Sequence, residues 1–155
     1  MKEKSVRVAI IARTEENEKN FIQLVSNSGE NNIDFLQIVE KNISEKVQKS
    51  IEISDRIIVL INSIDGVTPI LSDIIDEIIN QNVTPIFVFN KIFDSNANIS
   101  MAIDEVEHVL VMNNATDEQL DFPIVYVDDE KRIATSNFEE EAKDLNALYN
   151  IIRGK

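Results

Sequence analysis

At 155 residues, with 43% hydrophobic and 28% charged residues, the chain has the size and composition of one globular domain and not of a disordered segment. Against 28 Asp and Glu stand 15 Lys and Arg, a formal charge of −13 that repels nucleic acid and anionic membranes over most of the surface. Cysteine is absent, which excludes disulfides, thiolate catalysis and zinc–thiolate or iron–sulfur sites, and one histidine leaves little room for His-based metal or triad chemistry.

The opening five residues lead into an apolar run too short for a signal peptide, and no run approaches the roughly 20 residues of a spanning helix. The chain therefore reads as cytoplasmic. Val6 to Ala12 is a β-branched run that predicts a buried strand. Glu15 to Ser28 shows Phe21, Leu24 and Val25 at helical spacing, with acids in the first turn. After a turn at Ser28–Asn32, Ile33 to Val39 predicts a second strand, and Ser44 to Ser54 a helix. Arg56 to Ile61 predicts a third strand, and Ser63 to Gly66 a turn. A helix is expected from about Pro69 to Asn80, where isoleucine and leucine pairs form a wide apolar stripe and proline suits the first turn. Val83 to Phe89 reads as a fourth strand, Ile99 to Val111 as a helix, Asn113 to Asp121 as a polar connection and Pro123 to Val127 as a fifth strand. Asn137 is placed to cap a last helix carrying Phe138, Ala142, Leu145, Tyr149 and Ile152.

Five strands alternating with helices, with no break for a second domain, predict a three-layer α/β fold with a parallel sheet. Ligands in such sheets sit beyond the carboxyl ends of the strands. The segments that bear on function are therefore Arg13–Lys19, Glu40–Asn42, Asn62–Gly66, Asn90–Asp94 and Val127–Arg132. The first has no glycine and three acids, the reverse of what a phosphate-wrapping loop needs, so it reads as a solvated strand-to-helix turn. Asp104, Glu107 and His108 share a helix face with metal-compatible spacing, but a solvated face is the plainer reading. Asp128, Asp129 and Glu130 are set at a strand tip where Mg²⁺ is held in other folds, against an ordinary acidic loop. A phospho-acceptor site would use Glu15, Glu16 and Asp65, and Asp65 lies several residues beyond its strand.

Ile10–Ala12, Val59–Gly66, Pro85–Lys91 and above all Asn114–Tyr126 (Asn-Ala-Thr-Asp-Glu-Gln-Leu-Asp-Phe-Pro-Ile-Val-Tyr) resemble the G domain of the TypA/BipA translational GTPases. The resemblance runs through nearly the whole chain, 1–155, as a single domain, and reaches only the G domain. It implies a P-loop-GTPase-like sheet that has lost its one antiparallel strand, which leaves five parallel strands in the flavodoxin-like order 2-1-3-4-5. The functional residues of the family do not carry over intact. The P-loop Gly-Lys-Thr aligns with Asn17, Glu18 and Lys19, so an acid stands where the phosphate lysine is required. The first switch segment is deleted, and the second is reduced to Glu40-Lys41-Asn42. Asn90 and Lys91 match the guanine motif, whose fourth position here is Phe93, with Asp94 one place late. The last guanine loop corresponds to Asp128-Asp129-Glu130.

The resulting expectation is a pseudo-GTPase: a module without catalytic or metal-binding residues, needing no cofactor and working through protein–protein binding. The vestigial nucleotide positions would be Asn17, Glu18, Lys19, Asn90 and Lys91. The alternative is a residual GTP-binding, GTPase-class protein linked to translation, with GTP and Mg²⁺ as cofactors. A third reading is a chain with a fold and no selected activity. No direct nucleic-acid or membrane partner is expected. The strand Ile33–Val39 would be an open edge for a protein partner or a second copy, because the strand that pairs near it in the family is missing.

Overall fold

The computed structural model describes residues 6–11, 19, 21–23, 33–38, 49, 52–128, 130–136 and 144–152. Among these residues six strands form one sheet: β1 (Val6–Ile11), β2 (Ile33–Ile38), β3 (Arg56–Asn62), β4 (Ile86–Asn90), β5 (Ile124–Asp128) and β6 (Ile133–Thr135). The order across it is β2-β1-β3-β4-β5-β6. β2, β1, β3, β4 and β5 run parallel, and β6 pairs antiparallel with β5, Val127 facing Ala134. Four helices have full bounds: α1 (Pro69–Asn80), α2 (Ile99–Met112), α3 (Asp117–Leu120) and α4 (Asn146–Ile152). Residues 19, 21–23, 49 and 52–53 are also helical.

The period-two alternation of buried strands decides which layer each side chain meets. In β3, Ile57, Val59 and Ile61 point into one core with Leu71, Ile74, Ile75 and Ile78 of α1 and Ala102, Val106 and Leu110 of α2. Ile58 and Leu60 point into the other, with Phe21 and with Leu148, Tyr149 and Ile152 of α4. All five of these β3 residues are buried, so β3 lies between two helical layers and two strands. Asp55 aligns its start: its carboxylate accepts the Arg7 N–H at 2.9 Å, and its own N–H donates to the Arg7 carbonyl at 2.8 Å.

Helix boundaries follow from local chemistry. Thr68 caps α1, its hydroxyl accepting the Leu71 N–H at 3.3 Å, with Pro69 in the first turn. The Asn98 side chain caps α2, accepting the Met101 N–H at 3.0 Å. Beyond each helix an asparagine takes the left-handed conformation, Asn82 at φ 61° and Asn114 at φ 58°. Asparagine tolerates that region better than most side chains and here does the work of a C-terminal glycine.

The structure corrects the sequence reading at three places. The sheet has a sixth strand, antiparallel, where five parallel strands were expected. Consequently Val127–Arg132 is not an open strand tip but a hairpin turn. Asp128 accepts the Glu130 and Lys131 N–H groups at 3.0 and 3.3 Å, and Arg132 turns the chain at φ 56°. The polar connection Asn113–Asp121 contains α3. The fourth strand begins at Ile86, three residues later than predicted; the Val83 N–H is still bonded to the α1 terminus, at the Ile78 carbonyl, and Pro85 has no N–H. The expected Ala12, Val39 and Asn137–Lys143 parts of their elements lie outside the described residues. Among the described residues no helix is long and apolar enough to cross a membrane.

Candidate functional site

Three of the five sequence-designated tips fall on residues that are described in part or not at all; in Val127–Arg132 it is Asp129 that lies outside the described residues. Asn17 and Glu18 lie outside them, as do Glu15, Glu16 and Glu40–Asn42, while Lys19 is helical and exposed. The chemistry that can be described sits at the carboxyl ends of β3, β4 and β5.

At the β3 end the chain folds back on itself. The Asn62 side chain accepts the Ile64 N–H at 2.9 Å, and its carbonyl accepts the Gly66 N–H at 2.9 Å. Ser63 is fully buried and ties the two neighbouring tips together: its N–H donates to the Asn90 carbonyl at 3.0 Å and its carbonyl accepts the Asn98 N–H at 2.9 Å. Gly66 has φ +70°, and a Cβ there would meet both Glu105 carboxylate oxygens at 3.0 Å. Glu105 reaches across from α2 to accept the Val67 N–H at 2.9 Å. Asp65 is on this turn and exposed.

At the β4 end, Asn90 is buried and its side-chain oxygen accepts the Lys91 N–H at 2.8 Å. Lys91 takes a left-handed conformation, φ 59°, which starts the turn. Asp94 then organises the loop: its N–H donates to the Lys91 carbonyl at 3.1 Å, and its carboxylate accepts the Asn96 N–H at 2.8 Å. Phe93 leaves the core and is half exposed, and the Lys131 ammonium from the β5–β6 turn stands 4.4 Å from its ring centroid.

These side chains enclose a cleft of about 120 Å³, lined by Lys91, Phe93, Asp94, Asp128, Glu130 and Lys131. The structure thus brings Lys91 together with Phe93, Asp94, Asp128 and Glu130, residues that the sequence places on two separate tips. Lys131 was missed. Its place over Phe93 depends on the hairpin, and nothing in its own sequence context signals it. Phe89, stacked on Tyr126 at 6.2 Å, backs this end of the sheet, and burial pushes the Tyr126 phenol above its ordinary 10.0.

The metal-compatible face on α2 is divided by the fold. Asp104 and His108 line a groove against α1 and Glu107 does not. Among the described residues no three His, Asp or Glu side chains are gathered so as to hold a metal ion.

The segment Asn114–Tyr126 turns out to brace the core. Thr116 and Gln119 form a reciprocal cap on α3, with side-chain-to-backbone distances of 2.9 and 3.1 Å. The buried Gln119 amide donates to the Ile79 and Val83 carbonyls at 3.2 and 3.1 Å, closing the end of α1. Phe122 packs edge-on against Phe87 at 4.9 Å, and the Pro123 carbonyl accepts the Phe87 N–H.

No family model matches the chain. It is similar to the large ribosomal subunit assembly factor BipA of Salmonella typhimurium, 31% identical over 107 residues, and of Escherichia coli K12, 32% identical over the same length. The BipA of Bacillus subtilis is 27% identical over 107 residues. Each match covers 69% of this chain and 18% of the relative, so the chain spans less than a fifth of the length of the proteins it resembles. Across that shared stretch the chain is related to BipA, and so to the TypA/BipA translational GTPases.

Proposed function

We propose that this chain is a single-domain, cytoplasmic pseudo-GTPase module, built on a P-loop-GTPase-like, flavodoxin-like frame, that acts by binding protein and not by hydrolysing GTP. The observation that carries this reading is the cleft at the β4 and β5 tips. The family motif requires a carboxylate at the position of Phe93 to accept from a guanine edge. An aromatic ring stands there instead, with Lys131 against it. The cleft holds about 120 Å³, well below the roughly 300–1,000 Å³ of ordinary small-molecule pockets. A guanine base does not fit these residues, and Glu18 in the lysine position of the sequence motif opposes a phosphate.

Calorimetric titration of GDP and GTP, with and without Mg²⁺, is expected to give no binding tighter than about 100 μM, roughly −5.5 kcal/mol. Glu18→Lys alone does not create it, because Phe93 and the missing switch segments remain. A tighter constant would move the chain to the nucleotide-binding alternative. That alternative draws on the relationship to BipA, whose name describes a ribosomal assembly factor.

A protein partner or a second copy has a place to pair at β2. It is the last strand of the sheet on its side, and among the described residues no strand pairs with its outer edge. Sedimentation is expected to show wild-type association at concentrations on the order of 10 μM, lost in a folded Gln37→Pro variant. A strictly monomeric wild type that loses no partner on this substitution removes the edge from the proposal.

A further inference from the structure

The charge of this chain is not spread evenly along it. Residues 57–130 contain 14 Asp and Glu and a single basic residue, Lys91, apart from His108. The remaining residues carry 14 acids and 14 Lys and Arg. The whole formal charge of −13 therefore belongs to the stretch that runs from the second residue of β3 through α1, β4, α2, α3 and β5. α1 and α2 contain no Lys or Arg, yet Asp73, Asp76, Glu77, Asp104, Glu105 and Glu107 all lie on them.

Between these two helices runs a groove of about 400 Å³, within the size range of recognition pockets. Val67, Pro69, Met101 and Val109 give it apolar walls, and Asp104, Glu105 and His108 stand along the α2 side. On a helix, positions 101, 104, 105, 108, 111 and 112 fall in one stripe. That stripe sets Asp104, Glu105 and His108 between apolar residues left in solvent: Met101 is 49% exposed, Val111 61% and Met112 67%. Methionine adapts its shape to what lies against it, and is common on surfaces that receive amphipathic segments. An apolar groove selects apolar side chains; acidic walls reject nucleic acid and a like-charged face of a second copy, and attract cations.

We propose that the α1–α2 groove is a docking site for a lysine- or arginine-rich amphipathic protein segment. Its apolar residues fill the groove beside Met101 and Val109, and its cations face the carboxylates of α1 and α2. The inference goes beyond the pseudo-GTPase reading and stands whether or not nucleotide binds, because the groove shares no lining residue with the β4–β5 cleft.

The test uses three synthetic peptides of about 14 residues, the length of α2. The first is Lys/Leu with leucines at i and i+4, the second Lys/Ser of equal charge, the third Glu/Leu. Titration into the whole chain is expected to give the Lys/Leu peptide a Kd on the order of 10 μM at low salt. The Lys/Ser peptide should be at least about ten-fold weaker and the Glu/Leu peptide silent. Backbone amide shifts should move at Val67–Ser72 and Met101–Val109. The pair Asp104→Asn with Glu105→Gln, in which the glutamine keeps an oxygen to accept the Val67 N–H, should weaken the Lys/Leu peptide about five- to ten-fold. Glu118→Gln with Asp121→Asn, which removes the same charge elsewhere, should weaken it less than two-fold. Equal affinity for the Lys/Leu and Lys/Ser peptides overturns the proposal, as does equal loss in the two double variants. It is also overturned if the wild type self-associates and Met101→Glu abolishes that association, since the occupant is then a second copy.

Discussion

Gln119→Leu is expected to lower the unfolding free energy by about 2–4 kcal/mol, read as a fall in the urea midpoint with an unchanged slope. Leucine fits the volume but has no polar atoms. Gln119 is 3% exposed, and its amide donates to the Ile79 and Val83 carbonyls. Without it, the Val83 carbonyl loses this partner and the Ile79 carbonyl keeps only backbone donors such as the Asn82 N–H at 3.0 Å, and a loss of this kind costs about 1–3 kcal/mol. The α3 cap fails as well, but Thr116 is exposed and its N–H can turn to water, so that part adds less. A loss below about 0.5 kcal/mol would mean that the α1 terminus repacks around leucine.

Gly66→Ala is expected to cost about 1–3 kcal/mol, and the cost should depend on Glu105. Two effects combine at this position. A left-handed φ of +70° disfavours any side chain, by about 1–2 kcal/mol. The new methyl would also sit 3.0 Å from both Glu105 oxygens. That carboxylate cannot swing aside without giving up the Val67 N–H it accepts at 2.9 Å. Glu105→Ala alone should cost about 1–2 kcal/mol through that lost acceptor. Together the two changes should cost less than their sum, because the steric part disappears and the backbone part stays. Strict additivity in denaturant unfolding would show that the methyl and the carboxylate do not meet.

How far the sequence could be read depended on how long each element is. Five consecutive apolar residues in β3 and the three isoleucine-rich turns of α1 leave no other arrangement that buries them, and both stand where the periodicity puts them. β6 is three residues long, Ile133-Ala-Thr, too short to show a period, and it follows a charged run that reads as loop. What makes it a strand is a side-chain-to-backbone turn at Asp128, a contact that hydrophobic pattern does not encode. α3 has four residues, also too few for periodicity, but the Thr116-x-x-Gln119 capping signature was there to be seen. The site divides in the same way. Asn90, Lys91 and Phe93 follow directly from the end of a strand, so their place was legible; Lys131 arrives only through the hairpin. On α2 the sequence pointed to the right helical face at Asp104 and His108, and missed the groove because the opposing wall comes from α1, some thirty residues away.

The uneven charge also gives the molecule an electrical direction. With all of the formal charge in residues 57–130 and the rest balanced, the field around it is that of a dipole added to a net negative charge. A cationic body approaching through dilute buffer is turned toward the α1–α2 layer before any atoms touch, and an anionic one is turned away. Encounters are then sorted by orientation as well as by frequency, so association on this side is fast at low ionic strength and slows as salt shortens the reach of the field to about 10 Å at 0.1 M. The β2 edge of the sheet, which belongs to the balanced part of the chain, meets its visitors with less of that guidance.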